Sequence, residues 1–223
     1  QAIMILLVAA SVISGTDMMI RGHAVYKGNQ RDIRPFYHCV GPMLVVVMIG
    51  ILLNSWTIGS VWLVGLVCSM TFLTLVLITE YRSIDLPVLH TIRIGLLALY
   101  YPVVLTWLFW LANLQVRAAI SAIAAMLISG LLCFRFLYGY GLSDARAGWN
   151  GFTIGLIIGE LAWVLSYLAL PPIVVAILLL LVLHISIGII RNISEMINRV
   201  HSIVEYSIVT IVIISAVIML KVV

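Results

Sequence analysis

Charge is scarce in this chain of 223 residues: Asp and Glu number eight, Lys and Arg twelve, and hydrophobic residues make up 64%. No single soluble core could hide that much apolar surface, so a soluble globular fold is excluded and an all-α integral membrane protein is implied. Cysteine is scarce too. Cys39, Cys68 and Cys133 are scattered, odd in number and set mostly in apolar segments, which argues against a disulfide framework and a zinc site. Neither a set of ligands with metal spacing nor a nucleotide-binding loop is present, so no metal and no other cofactor is expected. The basic excess, a formal +4, is too small and too confined to helix ends to imply nucleic acid. Linkers and low-complexity tracts are missing, so a single polytopic membrane domain over residues 1–223 is expected. No signal-peptide n-region precedes the first apolar run, which opens on Gln1, and the first helix is expected to be incomplete at its start.

What the chain does have is a series of apolar runs of about twenty residues, the length that crosses a bilayer. They predict about eight spans in one bundle, near residues 1–20, 40–55, 58–79, 86–112, 117–140, 149–170, 171–190 and 203–222. Pro171-Pro172 cannot continue a helix and reads as a hairpin between the sixth and seventh. In that register Arg21, Lys27, Arg31, Arg34, Arg82, Arg93, Arg135, Arg146, Arg191 and Arg199 gather on one face, and only Arg117 and Lys221 on the other. By the positive-inside rule the crowded face is cytoplasmic. Asp32, Glu80, Asp85, Asp144 and Glu195 share it, so a solvated, partly salt-bridged rim accounts for many of these charges.

Some ionisable groups lie deeper. His90 and Arg93 enter the fourth span, Arg135 the fifth and His184 the seventh, where they are expected to face one another or a wet cavity. In the sixth, Gly151, Gly155 and Gly159 form a stripe with one glycine per turn. Ser121, Ala125 and Ser129 have the same spacing in the fifth, so these two spans are expected to form a tight antiparallel pair on those stripes. Glu160 is then placed near the bilayer midplane, about 18 Å from the crowded face, as a protonated interhelical partner or part of an ion pathway.

Three stretches, Lys27 to Pro35, Pro87 to Thr91 and Ser143 to Asn150, carry short polar motifs in a fixed order, and together they resemble the type 2 phosphatidic acid phosphatase family of integral membrane lipid phosphatases. "KGNQRDIRP", Lys27 to Pro35, has the K-x6-R-P form of the family's first motif. "PVLHT", Pro87 to Thr91, keeps Pro87 and His90 of the second but has Val88 and Leu89 in place of a small pair. "SDARAGWN", Ser143 to Asn150, matches the third at Ser143 and Gly148, with Asp144 at its arginine position and Asn150 at its histidine position. The stretches follow the family's order and all fall on the crowded face. The resemblance implies a six-helix phosphatase-like core over about residues 1–170, with two further helices over 171–223. It also implies a phosphate cradle of Lys27, Arg34 and Arg146 and a general acid at His90. The family's nucleophile falls at Asn150, and an amide does not accept a phosphoryl group. Three routes stay open: His38 or His23 substitutes, Asp144 acts as nucleophile, or the protein binds a lipid or polyprenyl phosphate without turning it over.

Other organisations compete. Lys27 and Arg34 also suit simple anchorage to anionic headgroups. Short recurrences, Ile13 to Gly15 with Ile128 to Gly130 and Asp32-x-Arg34 with Asp144-x-Arg146, suggest a four-plus-four helix repeat. A carrier of that kind predicts Glu160 and His184 lining a cavity at the midplane. A non-enzymatic accessory subunit predicts an apolar flank covered by helices of a membrane-complex partner or a second copy. The partners common to these readings are membrane lipids, with anionic or phosphorylated headgroups foremost.

Overall fold

The computed structural model describes residues 2–23, 37–55, 59–84, 89–114, 118–139, 142–168 and 170–195. Among the described residues there are seven α-helices and no strands: α1 (Ala2–Arg21), α2 (Val40–Ser55), α3 (Gly59–Arg82), α4 (Leu89–Asn113), α5 (Ala118–Gly139), α6 (Asp144–Ser166) and α7 (Pro172–Glu195). Five of them, α3 to α7, are long and apolar enough to cross a membrane, and α2 is a shorter apolar helix. The span expected at 203–222 lies outside the described residues, as does the Lys27–Pro35 motif.

Outward faces carry aliphatic side chains, among them Val64, Val67 and Met70 on α3. Hydroxyls on those faces bond back to their own helix: Thr71 donates to the Val67 carbonyl, Thr74 to Met70 and Thr153 to Trp149, at 2.8–2.9 Å. Such bonds leave no polar hydrogen to lipid, which is how hydroxyls are tolerated there.

The chain forms two compact units, residues 1–103 and 104–223, divided within α4 just past Pro102. Pro102 supplies no N–H to the helix ladder at that point. In the first unit α1, α2 and α3 pack on one another around Ile20, Val45, Val76 and Val103, all fully buried. In the second, α6 packs on α5 and α7, and α5 on α7, around Leu132, Ile158 and Leu183.

The expected antiparallel pair is present as α5 and α6, but on a different stripe of α5. A Cβ added at Gly151 would meet the Gly130 carbonyl and Phe134, at Gly155 Met126 and Gly130, and at Gly159 Met126 and Ala122. The partner row is therefore Ala122, Met126, Gly130 and Phe134, one residue round from Ser121, Ala125 and Ser129. Gly130 decides this, because Gly130 against Gly151 and Gly155 brings two backbones closer than a serine row could.

A second correction concerns the start of α6. The stretch from Asp144 to Asn150 forms its first turns, five residues before the expected start at 149. Ser143 sits extended at the N-cap position, and Asp144 in the first turn favours the helix dipole. Glu160 is accordingly about 24 Å along the axis from Asp144 and only about 9 Å from Ser166, past the middle of the helix.

Candidate functional site

Among the described residues, the most concentrated polar chemistry lies in the first unit, where α1 ends, α2 begins and α3 ends. Glu80, in the last turn of α3, has no exposed surface. Its two carboxylate oxygens have separate partners: the Tyr100 hydroxyl donates to Oε1 at 2.7 Å, and His38 Nδ1 lies 3.0 Å from Oε2. Helix geometry explains the Tyr100 contact. Side chains lean toward their own helix N-terminus, so Tyr100, in the third turn or so of α4, points back toward the connection that follows α3. His38 comes from the turn that leads into α2 and is itself buried.

Gly41, in the first turn of α2, makes room for this arrangement, since a Cβ there would collide with the Tyr100 hydroxyl and ring. The remaining wall is also polar. Asp17 and Arg21 pair one helical turn apart at 2.7 Å on α1. The buried His23 ring meets Tyr81 edge-on at 4.8 Å between centroids. The C-terminal turn of α3 is closed by Ser83, whose hydroxyl donates to the Glu80 carbonyl at 2.7 Å.

The chemistry of the centre follows from its inventory of donors and acceptors. When Glu80 is ionised it only accepts, so that in this state His38 donates from Nδ1 and the basic lone pair of a neutral ring sits on Nε2. Uptake of one proton at Nε2 turns this neutral imidazole beside a carboxylate into a buried ion pair, an event that low dielectric makes energetically large. A carboxylate-oriented imidazole of this kind is suited to general acid–base work.

Cys39, next to His38, is not suited to nucleophilic work. Its Sγ faces the Ile13 carbonyl at 3.6 Å, and burial, reinforced by the Asp17 and Glu80 carboxylates, pushes the thiol up to about 12. At pH 8 this removes roughly three orders of magnitude of thiolate relative to an ordinary cysteine. Iodoacetamide should therefore modify Cys39 about 10³-fold more slowly in the folded protein than after unfolding in SDS, as followed by peptide mass spectrometry. Comparable rates in the two states would show that the thiol is not buried.

The residues singled out from sequence are distributed over both units. Lys27 and Arg34 lie outside the described residues, and His90 and Arg93 fall in the first two turns of α4, their side chains likewise outside what is described. Asp144 and Arg146 are exposed at the start of α6 and Asn150 is half-buried there. The depression beside Asp144, formed with Ala145, Gly148, Trp149 and Phe152, is shallow. Arg135 is buried in α5 and His184 is half-buried in α7, both with interaction partners.

Glu160 faces outward from α6, and neither it nor His184 is among the described residues that line the cavity between the end of α4, the start of α5, the end of α6 and the start of α7, so that cavity is not the one a carrier was expected to have. In sequence Glu80 reads as a rim charge and His38 as no more than a substitute histidine, while Tyr100 and Gly41 give no signal, being one tyrosine and one glycine among many in apolar runs.

Fold and site together define a membrane-spanning all-α protein with a buried carboxylate–imidazole–phenol centre near one end of its helices. The chain matches the model of DUF5656, described as a protein of unknown function, over residues 1–220, and it belongs to that family. No curated protein and no solved structure matches it.

Proposed function

We propose that the chain crosses the bilayer about eight times, with its basic helix ends on the cytoplasmic side, and binds a phosphorylated lipid headgroup there beside the His38–Glu80–Tyr100 centre. The observation that carries this reading is the full occupation of Glu80: both oxygens of a wholly buried carboxylate are engaged, one by an imidazole nitrogen. That engagement orients His38 for moving a proton to or from an ester oxygen, a role for which the amide of Asn150 is unsuited. Chain length supports a nearby phosphate ligand. His38 follows Arg34 of the K-x6-R-P stretch by four positions, which limits their Cα atoms to about 14 Å apart.

The test is phosphate release by the purified protein in detergent from phosphatidic acid and from polyprenyl mono- and diphosphates. His38→Gln should lower the rate about 10²–10⁴-fold, the usual worth of a positioned acid–base group, and Arg34→Ala should raise KM. Binding of these lipids without release would reduce the function to lipid-phosphate binding; neither binding nor release would sink the proposal.

One observation favours a second reading, in which the centre is a polar clamp: Glu80 and Tyr100 have no exposed surface at all and His38 very little. A clamp predicts that Tyr100→Phe lowers the unfolding temperature and leaves phosphate release per folded molecule unchanged.

A further inference from the structure

The second unit contains a cavity of ≈ 460 Å³ where the end of α4, the start of α5, the end of α6 and the start of α7 meet. Small side chains make it. Ala125 and Ala162 stand where larger residues would close the gap, and the floor is formed by Leu108, Leu111, Val175 and Leu179. Leu108, Leu111, Ala125, Val175 and Leu179 are all buried, so the floor is continuous with the core of this unit.

The polar groups are unevenly placed. Among the described residues, Ser121, Ser166 and Tyr167 bring side-chain hydroxyls to the lining, and Ser166 and Tyr167 are exposed at the end of α6. Ser166 spends its proton on the Trp163 carbonyl at 2.6 Å, while the Tyr167 oxygen accepts from Trp163 Nε1 at 2.9 Å and keeps its own O–H to donate. Among the described residues, no charged side chain lines the cavity.

Water does not suit this floor. A buried water needs two to four polar partners, and the floor side chains supply none. An empty void of this size would forfeit contact energy comparable to the whole stability of a typical domain. Apolar cavities of roughly 150 Å³ already admit a benzene-sized guest, and this one is about three times larger. Since its walls belong to helices long and apolar enough to cross a membrane, the guest that surrounds it at highest concentration is lipid.

We propose that this cavity is a binding site for one long hydrocarbon chain of a membrane lipid, with an uncharged polar head at the Ser166–Tyr167 rim. The site lies wholly in the second unit and is independent of the phosphate reading.

The test uses the full chain in phosphatidylcholine vesicles and a hexadecanol that carries a photoreactive diazirine in mid-chain. After irradiation, label should be saturable and should map by peptide mass spectrometry to residues 108–112, 162–168 and 175–179. Unlabelled hexadecanol and farnesol, as competitors, distinguish a straight from a branched chain. Ala125→Phe and Ala162→Phe, which fill the floor, should each cut the label at least fivefold, whereas Ile157→Phe on the outward face of α6 should leave it unchanged. Ser121→Leu is a milder filling of the same space and carries the comparison if either phenylalanine variant loses its helical circular dichroism. Label that does not saturate, falls equally on outward positions such as Val64 and Val67, and ignores the filling of the cavity would overturn the proposal.

Discussion

Glu80→Ala should destabilise the protein by about 3–5 kcal/mol, among the larger effects that a single side chain can have. The loss is not that of one contact. His38 Nδ1 and the Tyr100 hydroxyl both end on this carboxylate, and without it both are left in a site from which solvent is excluded. Glu80→Gln keeps the shape and an oxygen acceptor and should cost markedly less. Thermal unfolding in detergent, followed by circular dichroism for Glu80→Ala, His38→Ala and the double variant, measures the coupling directly. A Glu80→Ala variant within about 1 kcal/mol of the parent would mean that His38 and Tyr100 find other partners readily. Gly41→Ala offers an independent approach, because its methyl group would displace the Tyr100 hydroxyl and so disturb Glu80 without altering any of the three polar side chains.

Gly155→Leu should separate α5 from α6. A Cβ at 155 would lie 2.6 Å from the Met126 carbonyl oxygen, 3.0 Å from the Gly130 Cα and 3.2 Å from the Gly130 nitrogen. All three are backbone atoms, so no rotamer change can make room and one helix must move as a whole. The first methyl, in Gly155→Ala, should already cost about 1–3 kcal/mol, the range for overpacking a close interface, and leucine more. Gly148, on the same helix, is the control, since nothing lies within 4 Å of a Cβ there and Gly148→Ala should be neutral or mildly stabilising. Equal stability of Gly155→Leu and Gly148→Ala would contradict the packing described.

These two predictions fall on different terms of stability. The α5–α6 contact is dispersion between backbones that only glycine allows to approach, whereas the Glu80 centre is a polar network that gains strength from its dry surroundings. The first holds elements together; the second specifies which groups meet. That is why the glycine row is legible as a pattern, while the polar centre is assembled from three helical regions far apart in the chain.

Apolar runs of bilayer length, with prolines and charges between them, were enough to determine an all-α membrane protein and to place α2 at 40–55 and the hairpin before α7 at Pro171. Both follow from local physics: a backbone in lipid must bond internally, and proline has no N–H to contribute. The glycine stripe likewise foretold that α5 and α6 pair. Which row of α5 it meets was decided by tertiary structure, because adjacent rows have equal spacing and only the fit against Gly130 separates them. The start of α6 at Asp144 was hidden by its polar residues, which hydropathy assigns to a loop although they make an acceptable first helical turn. Tertiary structure alone gave Glu80 its meaning. A carboxylate one turn from a helix end is, in sequence, a rim charge; it becomes a buried centre only when His38 from the turn before α2 and Tyr100 from α4 arrive at its two oxygens, contacts between residues 42 and 20 positions apart that no local pattern encodes.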